Sequence, residues 1–253
     1  MASCFQHINE CLYVVKSQLR SHWAFEEQLS NAAAHSLAFE DRFAMLVDHE
    51  ATHRENQRLR RLLKTAKLKV AACVEDIDYR HNRGLDKSMM ASLLTCQWIE
   101  RGLNMILTGP TGCGKTWLAC AFGNQACRIG KTVLLHRLPL LLEDLQIGHA
   151  DGSFHRRLAL LAKADLLVLD DFGLAALNAQ GRTDLLEVVD ARSGGRSTII
   201  TSQLPVDKWH DYLGSANPTV ADAILDRLTS GAVRLPMRGE SMRKVRARET
   251  GTA

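Results

Sequence analysis

The residues with the most specific chemistry are Gly109-Pro110-Thr111-Gly112-Cys113-Gly114-Lys115-Thr116. A glycine, four residues and then Gly-Lys-Thr is the spacing of a phosphate-binding loop. Glycines let the backbone curl until successive N–H groups face an anion. A helix that starts directly after the loop adds its positive end. Lys115 is then expected to reach the β- and γ-phosphates of ATP, and the Thr116 hydroxyl to bind Mg²⁺. Trp117 opens the helix and is grouped with the loop as nucleotide-binding. The short apolar run before the loop and the helical stretch Trp117 to Arg128 after it are the strand and helix this chemistry requires.

A second element points to the same ligand. Leu166-Leu167-Val168-Leu169-Asp170-Asp171 reads as a buried strand ending in two carboxylates. Ligands of parallel sheets lie at the carboxyl ends of strands. Asp170 is therefore expected to organise Mg²⁺, directly or through its water, and Asp171 to orient an attacking water. Helix capping is the plainer role open to either acid. Ser197 to Gln203 reads as a strand ending in small polar groups, where Ser202 either senses the γ-phosphate or caps the strand. Ala223 to Leu228 is helical, and its Arg227 either makes a surface ion pair with little energetic weight or serves a neighbour's γ-phosphate.

These side chains need a scaffold. After Gly102, apolar runs at Asn104–Thr108, Thr132–His136, Asp165–Leu169, Ser197–Thr201 and Ala232–Leu235 alternate with helical segments. That alternation means crossover connections and a mostly parallel sheet, an α/β fold. Ahead of it, residues 1 to about 75 read as helical, Asp76–Gly84 as a connector and Asp86–Glu100 as one helix. The domain boundary is expected between residues 75 and 85. From Arg54 a second helical stretch puts Leu59, Leu62, Leu63 and Ala66 on one arc. Arg54, Arg58, Arg60, Arg61, Lys64 and Lys67 fill most of the rest, either as a solvated face or as a helix laid along DNA phosphates.

Composition narrows the class. With 46% hydrophobic and 24% charged residues the chain is an ordinary globular protein rather than a disordered one. The net charge of +4 is a weak hint of an anionic partner, strengthened by basic clusters at Arg54–Lys69 and Arg234–Arg248. No apolar run is long enough to span a membrane and no export pattern opens the chain, so a cytoplasmic location is expected. No Cys-x-x-Cys pair occurs among the seven cysteines, which argues against a zinc knuckle. Cys113, Cys120 and Cys127 are spaced for small apolar packing along one helix.

Taken in order, GPTGCGKTWLACA, LLVLDDFGL, TSQLPVDKWHDYLG, ADAILDRL and RGESMRK resemble the IstB-like ATP-binding transposition helpers, AAA+ ATPases of the DnaA and DnaC clade. The likeness extends upstream through AFEEQL, AAHSLAFEDRF, RENQRLRRLLKTAKLK and ACVEDIDYRH, and so covers about residues 19 to 244. The resemblance implies a three-layer α/β/α AAA+ domain at 79–253. A small all-α domain at 1–78 would precede it and meet DNA and transposase. It makes Gly109–Thr116 Walker A and Asp170 with Asp171 Walker B. Ser202 or Gln203 corresponds to sensor 1, and Arg227 to the arginine finger. It further implies a homo-oligomer that assembles on duplex DNA with ATP, deforms it and recruits the partner transposase of an insertion sequence. Hydrolysis stimulated by that transposase would release the helper. A DnaC-like helicase loader shares the engine, but residues 25–80 favour the transposition helper. A small-molecule phosphotransferase would need a closing lid for which residues 228–253 leave no room. That shortage also implies an AAA+ protein without the usual C-terminal lid domain. Asp171 stands where many AAA+ proteins carry Glu, which implies slow hydrolysis.

Overall fold

The computed structural model describes residues 28, 30, 31, 36–81, 83–214, 218–242, 244 and 248. Calls of helix on residues 1–27 lie outside these. By its internal contacts the chain divides into two compact units, residues 1–61 and 62–253. The division falls at 61/62, so the boundary expected at 78/79 lies inside the second unit.

The described part of the first unit is mostly helix. Helix α1 spans Phe39–Ala66, with Glu40 and Asp41 in its first turn, where carboxylates favour the positive helix end. Phe39 stacks on Phe43 one turn along, and Glu50 pairs with Arg54 at the same spacing. The stretch from Arg54 is thus a continuation of one helix. Leu59, Leu62 and Leu63 are partly covered and Ala66 is fully buried, while Arg54, Arg58, Arg60, Arg61 and Lys64 are exposed, as the helical wheel predicts. Lys67 leaves the wheel: its φ of 50° ends the helix. Residues 67–73, expected to be helical, are an irregular strap before a single 3₁₀ turn at Val74–Asp76.

The second unit is built on a five-stranded parallel sheet. Its strands are β1 (Met105–Thr108), β2 (Val133–Arg137), β3 (Leu166–Phe172), β4 (Ser197–Ser202) and β5 (Val233–Pro236), in the order β2-β3-β4-β1-β5. The expected runs anticipate these closely, but β2, β4 and β5 end one residue later and β3 three. Two helices lead into β1, α2 (Lys87–Leu94) and α3 (Gln97–Glu100), where one was expected. Asp86 caps α2 by accepting from the Met89 amide. The break falls at Cys96, left-handed at φ 58°. It turns Trp98 inward, where Nε1 donates to the Leu93 carbonyl and the ring meets Phe122 edge-on. Burying an indole with its N–H satisfied outweighs a straight helix.

Alternation along the buried strands sorts their side chains into two layers. Helix α4 (Lys115–Arg128) packs against β1, β2, β3 and β4. The other core gathers Ile106, Leu167, Leu169 and Ile200 with Leu141 and Leu145 of α5 (Leu138–Asp151), Leu161 of α6 (Phe154–Lys163) and Val188 of α7 (Ala179–Asp190). Leu213 of α8 (Trp209–Gly214) and Ile224 of α9 (Pro218–Thr229) complete it. Buried Arg192 ties this layer to the sheet, donating to the carbonyls of Leu161, Ala164 and Ser197 and to Thr198 Oγ1. Burial, with a smaller push from the charge of Arg196, lowers its pKa to about 10. After β5 the described residues return to the phosphate loop. The Met237 amide bonds the Thr108 carbonyl, and the Met242 amide bonds that of Gly112.

Candidate functional site

The carboxyl ends of β1, β3 and β4 open into a cleft of about 660 Å³. Its lining includes Thr111, Gly112, Gly114, Lys115, Thr116 and Trp117 from the loop and the start of α4. Asp170, Asp171, Thr201, Ser202 and Gln203 line it from the strand ends, and Lys69, Arg83 and Arg137 from elsewhere. The loop and the acidic strand end meet directly although 54 residues separate them in sequence: Thr116 Oγ1 donates to Asp170 Oδ1 at 2.8 Å.

The loop's shape depends on its glycines. Gly109 has φ 148°, and a Cβ there would collide with the Met237 carbonyl. Gly112 has φ 87°, and a Cβ there would run into Ser241. Both positions therefore require glycine on two counts, backbone conformation and space. Lys115 Nζ donates to the carbonyls of Gly109 at 2.7 Å and Pro110 at 2.9 Å, so the ammonium rests on its own loop. Cys113 is buried in the loop, before α4 rather than on it, whereas Cys120 and Cys127 are buried on the helix as small packing groups.

The acidic end is held together by a bulge. Leu169 pairs with Ile200 and Phe172 with Ser202, so Asp170 and Asp171 together oppose the single residue Thr201. Strict alternation would send the two carboxylates to opposite faces. The extra residue, with Asp171 left-handed at φ 64°, lets both line the cleft. Thr201 links them, its hydroxyl donating to Asp170 Oδ1 at 2.5 Å and accepting from the Asp171 amide at 3.2 Å. Burial pushes the Asp170 carboxyl up. Hydrogen bonds from Lys69, Thr201 and Thr116 outweigh that and hold it below the usual carboxylate range. Asp171 Oδ2 takes Arg137 Nε at 2.8 Å.

Three of these side chains were not anticipated. Arg137 ends β2 beside Asp170 in register, one residue past the expected strand. Thr201 was passed over for Ser202, its neighbour. Lys69 sits in a segment read as helix, and nothing local marks it. Ser202 itself is turned to the backbone, donating to the Phe172 carbonyl and accepting from the Leu204 amide. Gln203 is the strand-end group that faces the loop, accepting from Thr111 Oγ1 at 2.7 Å. Arg227 is not part of the cleft lining: its guanidinium pairs with Asp190 of α7 at 2.7 Å. Arg54, Arg58 and Arg61 are exposed in the first unit and Lys64 and Lys67 in the second, Arg54 being paired with Glu50.

The donors suit Mg²⁺, a hard cation that takes oxygen ligands and keeps several waters. A hydroxyl and a carboxylate oxygen stand side by side at the mouth of an anion cradle. Among the described residues no helix is long and apolar enough to cross a membrane.

Known proteins agree with this architecture. Residues 17–250 match the family model of the IstB-like ATP binding proteins. The chain is 56% identical to the ATP-binding protein of insertion sequence IS1162 from Pseudomonas fluorescens, over 72% of this chain and 79% of that one. It is 44% identical to the insertion-sequence ATP-binding protein y4pL of Sinorhizobium fredii, over 90% of this chain and 92% of that one. Among solved structures, DnaI aligns with a TM-score of 0.55 at 20% identity, over 70% of this chain and 93% of its own. The replication initiator DnaA bound to AMPPCP and single-stranded DNA aligns at 0.54 and 16%, over 74% and 57%. These two establish the shared AAA+ fold. By sequence over nearly its whole length, the chain belongs to the IstB-like ATP binding protein family.

Proposed function

We propose that this protein is an ATPase that helps an insertion sequence transpose by assembling on duplex DNA and recruiting the partner transposase. The observation that carries the reading is the 2.8 Å approach of Thr116 to Asp170, which joins the phosphate loop and the acidic strand end in one cleft. Backbone N–H groups of Gly109–Thr116 would cradle the phosphates of ATP. Lys115 would turn from the Gly109 and Pro110 carbonyls to the β- and γ-phosphates. Thr116 and Asp170 would hold Mg²⁺, which when bound neutralises charge on the phosphates. Asp171, steadied by Arg137, would orient the attacking water, and Gln203 together with Ser202 would form the strand end nearest the γ-phosphate.

Arg227 lies outside the lining of its own cleft, which supports a role across a subunit interface in a homo-oligomer. The exposed bases Arg54, Arg58, Arg61, Lys64 and Lys67 would meet DNA phosphates, giving affinity that falls steeply with salt and reads little sequence. Relatives that are insertion-sequence ATP-binding proteins support a transposase partner.

ATP hydrolysis measured with and without duplex DNA, beside a sizing experiment, tests the reading. Faster hydrolysis on DNA and ATP-dependent growth in size are expected. No adenine-nucleotide uptake at millimolar levels, with DNA present, would overturn it. Arg227→Ala should leave ATP binding within about twofold while hydrolysis by the assembly falls about a thousandfold, the scale of an arginine supplied in trans.

A further inference from the structure

Asp170 already has a cation. Lys69 Nζ lies 2.5 Å from its Oδ2 and 3.8 Å from Asp171 Oδ2, while Thr116 and Thr201 occupy Oδ1. The Asp170 side chain is 1% exposed, whereas that of Lys69 is 34% exposed, so the carboxylate is fixed and the ammonium has a way out. The position of Lys69 is set by its neighbours. Leu68 seats on Gly123 of α4, where a Cβ would come within 2.9 Å of Leu68 Cδ2. The amides of Val70 and Lys69 reach the Cys120 sulfur. Ala66 and Ala72, at the two ends of the strap, are fully buried. The strap is thus docked along α4 and presents one positive charge at the end of the cleft where Thr116 and Asp170 would hold a divalent ion.

We propose that Lys69 is a built-in counter-ion: in the nucleotide-free cleft its ammonium holds Asp170 in place of the metal, and it must withdraw when Mg²⁺ enters with nucleotide. This rests on the function proposed above. A single carboxylate cannot hold an ammonium and a divalent ion together without strong repulsion between them, since Coulomb energy at a few ångströms rises with the product of the charges. Lysine suits the task because its charge is a point at the end of a flexible stem and makes no fixed bidentate pair. Replacing the lysine with the ion therefore removes one of the bonds that hold residues 68–70, leaving the Leu68 contact on Gly123 and the amides on Cys120, and metal arrival becomes a loosening of the strap.

The test is a titration of Mg²⁺ at fixed mant-ATP, read by nucleotide fluorescence, for the wild-type chain, Lys69→Met and Lys69→Arg. Removing the competitor should lower the half-saturating Mg²⁺ concentration about tenfold in Lys69→Met, the size of one charge-assisted hydrogen bond. Lys69→Arg, whose planar fork can hold the carboxylate through two bonds, should need at least as much Mg²⁺ as wild type, and mant-ATP affinity in EDTA should not rise in any variant. An unchanged or raised Mg²⁺ requirement in Lys69→Met would overturn the inference and make Lys69 a helper of the bound nucleotide. Independently of any variant, hydrogen exchange at Leu68–Val70 of the wild-type chain should rise with Mg²⁺ and mant-ATP but not with mant-ATP in EDTA; equal protection in both would also overturn it. If the wild-type chain takes up no mant-ATP under either condition, the proposed function falls as well. If it does and the wild-type and Lys69→Met Mg²⁺ curves coincide, only the role of Lys69 falls.

Discussion

The two halves of the nucleotide cleft are built in opposite ways. The lysine of the phosphate loop bonds locally, to the carbonyls of Gly109 and Pro110 a few residues away. The acidic end is collected from across the chain, since Asp170 and Asp171 draw on Lys69, Thr116, Arg137 and Thr201. A side chain that bonds only within its loop, as Lys115 does, can be lost without disturbing the sheet. The buried bonds of the assembled corner cannot, because each joins two elements. Function and stability should therefore separate at Lys115 and stay coupled at the buried Asp170–Thr201 contact.

The largest effect tests the separable end. Lys115→Ala should weaken ATP binding on the order of a hundredfold, the loss of charge-assisted bonds to two phosphates. Its unfolding free energy should change by less than about 0.5 kcal/mol, as for a surface substitution. Nucleotide titration and urea denaturation of the same preparation measure both, and a drop in stability matching the drop in affinity would erase the contrast. The coupled end is tested by Thr201→Val. It removes a buried hydroxyl that serves the Asp170 carboxylate and the Asp171 amide, at a cost of about 2 kcal/mol in urea denaturation. Hydrolysis should fall with it, and full stability in this variant would show that the bulge does not depend on the bond.

The same contrast decided what could be read in advance. The loop is contiguous, so its residue types and order disclose it, and an apolar strand run ending in Asp170-Asp171 is nearly as explicit. The five strands were legible because each is a short apolar run between helical stretches. The partners of the acids were not, because tertiary geometry selects them. Three hydroxyls, Ser197, Thr198 and Ser202, share a strand with Thr201, and only the bulge at Asp170-Asp171 decides that Thr201 faces the acids while Ser202 turns to backbone. Lys69 was unreadable for another reason: the basic, leucine-rich run before it is helical in pattern, and the left-handed Lys67 that ends the helix is not a glycine or proline. The break at Cys96 was hidden likewise, since no turn residue marks it and the burial of Trp98 drives it.

A smaller change in stability than that of Thr201→Val is expected at Asp171, and it bears on why the corner keeps a strained residue. A non-glycine residue at φ 64° is disfavoured, though less for Asp than for most. Asp171→Gly relieves that conformation and loses ion pairs with Arg137 and Lys69 that are partly exposed and of small value. Glycine also gains freedom in the unfolded chain, which opposes the relief. These three contributions are each about 1 kcal/mol or less and of mixed sign, so the unfolding free energy should move by no more than about 1 kcal/mol. Hydrolysis, however, should be lost while ATP binding persists, because the carboxylate proposed to orient the attacking water is absent. Asp171→Glu should fare worse in stability than the glycine, since a longer side chain gains nothing from the local bonds that let Asp adopt this conformation. A fall of more than about 2 kcal/mol in Asp171→Gly would instead make the carboxylate a structural clamp between β2 and β3. Strain retained at no structural gain is the signature of a residue held for its chemistry.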